Sequence, residues 1–208
     1  MKYSYLPRKA DLRMEQLALR ELKKVDPQLV CGEPCSVPIE EIIENYYGIS
    51  IEYHYMRKTL RTLGQMIFDG GHAPIYDMEK QQYTLIDVPP KTMLIDIRLT
   101  QDRRYANRLR FSYAHELAHY IYHKEYFSGS SQSPALNKGD EYVEDDDIER
   151  EANMLCSYIL IPTGQMKKAY YRLMASGNQS TIVTNMAALF GVACKTMEIR
   201  MREHGLIN

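Results

Sequence analysis

His115, Glu116 and His119 form an HExxH motif within the run Arg108 to His123, RLRFSYAHELAHYIYH. Nothing in this run breaks a helix, and Leu109, Ala114, Leu117, Ala118 and Ile121 recur at helical spacing. On a helix, residues i and i+4 lie one above the other, so the two imidazoles can point at one ion. Two neutral imidazoles suit zinc. Glu116, one residue on from His115, is turned to the side where a water can be activated, the arrangement of a metal-assisted hydrolase with a carboxylate as general base. His123 continues the stripe one turn further, ~6 Å beyond His119. It is too distant to share one small ion and reads as a polar residue whose charge would suit a helix C-terminus.

A catalytic metal needs a third protein ligand, which must come from another element. The acidic run Asp140 to Glu151, DEYVEDDDIERE, leads into a second helical pattern over Ile148 to Ile161, ended by Pro162. Ala152, Leu155, Cys156, Ile159 and Leu160 make its apolar stripe. Glu149 and Asn153 are i, i+4 partners, so a carboxylate can hold the ion while an amide one turn later steadies a ligating imidazole. Glu151 is the competing carboxylate. It points to nearly the opposite side of the helix, where solvent or a surface ion pair is expected, so the geometry favours Glu149.

RFSYAHELAHYIYH followed by EREANMLCSYILIP resembles the ImmA/IrrE-type metallopeptidases, bacterial zinc proteases with a thermolysin-like site. The resemblance runs from about Val37 onward and is loosest between His123 and Asp147. It implies that His115, His119 and Glu149 hold one Zn2+, that Glu116 is the catalytic base and that Asn153 supports the site from behind. It also implies the substrate class, a DNA-binding helix-turn-helix repressor of a mobile element or stress response, cleaved to relieve repression.

The remaining elements must position these residues. Ala10 to Val25 reads as an amphipathic helix, and Val37-Pro38 opens another that Gly48 can cap. Strand-like stretches follow at Ile49 to Tyr55, Leu63 to Phe68, Ala73 to Tyr76, Tyr83 to Val88 and Met93 to Ile97. The fold class expected is α+β, a small sheet packed on the HExxH helix. The organisation expected is an N-terminal helical segment 1–36, a peptidase core 37–162 and a C-terminal helical region 163–208. A loop over 127–148 joins the two ligand helices. Cys156 and Cys194 read as small buried residues, and no second metal site is expected from Cys31 and Cys35.

Across 208 residues the formal charge is −1, which argues against a strongly nucleic-acid-binding surface. No membrane-spanning run or signal peptide is evident, and a cytoplasmic protein is expected. At the C-terminus, Ala187, Gly191 and Met197 fall at helix-turn-helix spacing, with Lys195, Thr196, Arg200 and Arg202 as groove-facing candidates. The alternative function is therefore a non-proteolytic zinc-containing regulator that binds DNA or a repressor through these helices.

Overall fold

A computed structural model describes residues 9–127, 146–177 and 179–207. In chain order the elements are α1 (Lys9–Val25), α2 (Gln28–Cys31), α3 (Ile39–Glu41), β1 (Ser50–His54), β2 (Gly64–Ile67), β3 (Gly71–Asp77), β4 (Gln82–Val88), β5 (Thr92–Asp96), α4 (Ala106–Tyr122), α5 (Lys124–Phe127), α6 (Asp146–Leu160), α7 (Thr163–Ala175), α8 (Ile182–Phe190) and α9 (Cys194–Glu203). The fold is α+β. The helix expected after Val37 is only partly α: α3 runs into a π-helical turn over Ile42–Tyr46, and Gly48 follows with φ +61°. Of the expected loop, 128–145 lie outside the described residues; Phe127 closes α5, and α6 already begins at Asp146.

The chain forms two compact units, Ile39–Asn153 and Met1–Pro38 with Met154–Asn208. The expected segments 1–36 and 163–208 thus fall in one unit, and the division lies inside α6 rather than at Pro162.

Ile39–Asn153 holds both the sheet and the HExxH helix. β1 runs parallel to β5 and β2 antiparallel to it, in the order β1-β5-β2, so β2 is an edge among the described residues. β5 is buried at every position. Its Met93, Leu94 and Ile95 are wholly buried, each worth about 2 kcal/mol of apolar burial. β3 and β4 form a separate antiparallel hairpin, joined to the sheet through a cluster of Met56, Ala73, Val88 and Leu94.

The segment between β1 and β2 is tied down by charge. Asp96 is fully buried, and its carboxylate accepts from Met56 N at 3.1 Å and from Arg98 Nη2 at 2.6 Å. Arg98 Nη2 also donates to Arg57 O at 2.7 Å, and Nη1 to Lys58 O at 3.2 Å. An unpaired buried carboxylate would be costly; here its counter-ion also satisfies the carbonyls of the loop that leads into β2. Before α4, Asp102 accepts from Arg104 N at 2.8 Å, capping the turn from which that helix departs.

The other unit packs Met14, Ala18, Met166, Met186, Phe190, Met197 and Met201 into its core. Gly191 adopts the left-handed conformation between α8 and α9, which bend by 107°. Ala187 and Met197 are buried at this corner. Arg200, expected to face outward, is instead 1% exposed. Its guanidinium lies 4.0 Å over the Tyr158 ring and donates to Thr163 Oγ1, Ile161 O and Glu203 Oε2. Thr163, the first residue of α7, makes no side-chain cap there and serves Arg200. Cys194, expected inside, is exposed, because it is the first residue of α9. Among the described residues no single helix is long and apolar enough to cross a membrane.

Candidate metal centre

α4 carries its buried face through Tyr113, Ala114, Glu116, Leu117, Ala118 and His119. His115 and His119, one turn apart on it, bring their Nε2 atoms to 3.0 Å. Glu149, in the first turns of α6, closes the triangle, with Oε2 3.1 Å from His115 Nε2 and Oε1 3.1 Å from His119 Nε2. Ligand atoms of these three residues all lie within 4.8 Å of one another. The Asn153 side chain favours the charged form of the His115 imidazole.

The donor set fits a divalent cation. Two imidazole nitrogens cannot both be acceptors at 3.0 Å without repulsion, and a cation between them removes the conflict. Bonds of ~2.0–2.1 Å in tetrahedral geometry set ligand atoms ~3.3 Å apart, close to the spacings observed. The set of two imidazoles and a carboxylate matches hydrolytic zinc sites and admits other divalent ions.

The electrostatics of the site are polarised. Burial alone would lift the Glu149 carboxyl, but hydrogen bonds and charge from His115 and His119 outweigh it and hold Glu149 well below the usual carboxylate range. Burial would push His115 down, yet Glu149 and Glu116 reverse the effect and its affinity for a proton is raised. Glu116 is 7% exposed, and burial pushes it up despite the two imidazoles. The Met66 backbone N–H of β2 opposes that rise, least of the influences on the carboxyl.

Glu151 does not join the triangle. Its Oε2 lies 3.3 Å from Nε2 of His123, which is 5% exposed. Burial lowers the His123 pKa more than Glu151 raises it. His123 is therefore a buried imidazole tied to α6, not a charge placed to suit a helix end.

The family comparison meets this geometry at the same residues. A model of the peptidase M78 family, described as the IrrE N-terminal-like domain, matches residues 77–202, more than half of the chain. The chain belongs to this family. The match spans both helices of the centre and assigns the protein to a metallopeptidase-type family. No curated protein matches the chain.

Sequence reasoning missed the contribution of β2. Its Met66 amide and Gly64 both meet Glu116, and both precede the matched residues. The available signal was a glycine inside a strand, which often marks a close approach. The His123–Glu151 pair was also missed, since an i, i+4 stripe of three histidines hides which imidazole faces which carboxylate.

Proposed function

We propose that the protein is a zinc-dependent endopeptidase that cleaves a DNA-binding repressor and so relieves repression. The observation that carries this reading is the convergence of His115, His119 and Glu149, with the buried carboxyl of Glu116 beside them. A divalent ion held there supplies Lewis acidity to a peptide carbonyl and lowers the pKa of water. Glu116 accepts a proton from the attacking water as the new C–O bond forms. It then delivers that proton to the amine nitrogen as the C–N bond breaks. Its raised proton affinity suits both halves of this shuttle. Asn153 holds the His115 ring, and the edge position of β2 suits an extended substrate aligned by strand addition.

The repressor as substrate rests on the resemblance to ImmA/IrrE-type proteases. The alternative, DNA contact through α8 and α9, has less support from the side chains: Arg200 is buried, and Lys195 and Arg202 pair with Glu198.

The test is incubation with the helix-turn-helix repressor encoded nearest to this protein's gene. Wild type should cut it at a defined position. Glu116→Gln should keep its metal and lose on the order of 10²–10⁴-fold in rate. Equal cleavage by the two proteins would overturn the mechanism.

A further inference from the structure

The HExxH helix supplies Glu116, but the surface that receives its carboxylate belongs to β2. Leu63 O accepts from Asp96 N at 2.8 Å, and the register pairs Gly64 with Ile95 and Met66 with Met93. In an antiparallel ladder, residues alternate between bonding their neighbour and facing away. With Leu63 turned to β5, Gly64 and Met66 turn their amides to the open edge. The Met66 N–H favours the charged form of the Glu116 carboxylate. A Cβ built on Gly64 would stand 2.9 Å from both Cγ and Oε1 of Glu116 and 3.1 Å from Cδ1 of Ile95. Its φ is not among the positive values, so the backbone itself tolerates a side chain. The need for glycine is the space that Glu116 occupies.

We infer that Gly64 is a positioning residue for the general base: its missing side chain leaves the seat in which the Met66 amide fixes the Glu116 carboxylate. The inference rests on the peptidase reading for its consequence but not for the contact. The metal ligands stay untouched, because the Glu116 side chain, not an imidazole, lies against the missing Cβ.

Two measurements on the full chain test it. In the first, Gly64→Ala should bind as much zinc as wild type. Its kcat on the cleaved repressor should fall on the order of 10²-fold, the scale of an ångström's displacement of a catalytic group, with KM unchanged. The second is a thermal-stability cycle over wild type, Gly64→Ala, Glu116→Ala and the double variant. Gly64→Ala should lower Tm in wild type and lower it much less where the Glu116 side chain is gone; the remaining loss is the contact with Ile95. An equal loss of Tm in both backgrounds, or an unchanged kcat, overturns the inference. Failure of the peptidase reading is distinct from this: wild type would then cleave nothing, and the stability cycle would still decide whether Gly64 seats Glu116.

Discussion

Two buried polar clusters in this protein are built on opposite principles. Around Arg200, the chain supplies the cation itself: Tyr158, Thr163, Ile161 O and Glu203 surround one guanidinium. At His115, His119 and Glu149 the chain supplies ligand atoms that converge and no cation of its own among them. The first cluster receives its central charge on folding, although Arg200 Nε finds no partner among the described residues. The second has lone pairs left over, and His119 Nδ1 finds no partner among the described residues. An unpartnered buried nitrogen costs stability in either cluster, whereas the lone pairs that converge from the two Nε2 atoms and Glu149 are the ones an ion would relieve. Both regions contain histidine, carboxylate and hydroxyl or amide groups, so residue type alone does not separate them. The difference lies in whether the charge at the centre is built in.

The largest effect should come from removing a ligand. Glu149→Ala should reduce zinc affinity by more than the roughly 10–100-fold typical of residues that merely support a ligand. Glu151→Ala, which loses the contact to His123, should stay within that range or below it. Metal content after dialysis against a weak chelator, followed by competition with a chromophoric chelator, checks both. Saturating wild type with zinc at about 100 times its Kd should raise stability by about 2.7 kcal/mol, and the gain should vanish in Glu149→Ala. If Glu151→Ala loses the metal instead, the contrast between the two α6 carboxylates is broken.

An intermediate effect should come from the self-contained cluster. Arg200→Met keeps much of the volume but strips Glu203 and Thr163 of their donor. Removing one partner of a buried pair costs about 3–5 kcal/mol, and the partial exposure of Glu203 favours the lower end. Urea unfolding followed by circular dichroism should show the midpoint fall at constant m, with zinc affinity unchanged. A neutral result would mean that the guanidinium is no more than filler against Tyr158.

The same contrast explains what the sequence made legible. HExxH carries its geometry locally, because i and i+4 on one helix bring two imidazoles together, and the Glu149/Asn153 spacing likewise sets a carboxylate and an amide on one face of α6. Alternation located β1, and strand-like stretches set off by turn residues located β2 to β5 among the described residues. Long-range partners were not legible. Nothing local told that Arg200 turns inward, because a cation on an amphipathic helix normally faces water and only Tyr158 and Thr163, far off in sequence, reverse that. A glycine in a four-residue strand hinted at a close approach, but nothing local told that the neighbour is Glu116. The π-helical turn at Ile42–Tyr46 escaped for a related reason: its apolar spacing is indistinguishable from that of an α-helix over so few residues.

The smallest effect concerns His204, which sits at the rim of the Arg200 cluster. Its Nε2 lies 3.2 Å from Arg200 Nη1 and 3.4 Å from Thr163 Oγ1. Burial, then the Arg200 charge, with Lys167 adding and Glu15 opposing, push its pKa from 6.5 down to about 4. The folded protein therefore refuses a proton that the unfolded chain accepts. Stability is complete above pH 6.5 and is lost as the pH falls through about 4, where both states are protonated. For a half-buried group, solvent screening reduces the full conversion to about 1–2 kcal/mol. His204→Gln should flatten this part of the stability profile between pH 6.5 and 4. The Arg200 guanidinium would still meet an acceptor in the amide oxygen, so stability at pH 7 should change little. Unfolding midpoints of the zinc-free proteins, measured across that range, keep acid release of metal out of the profile, and the difference between His204→Gln and wild type isolates this contribution. A slope as steep in His204→Gln as in wild type would show that the cluster tolerates a second positive charge, and that it is less tightly closed than its hydrogen bonds imply.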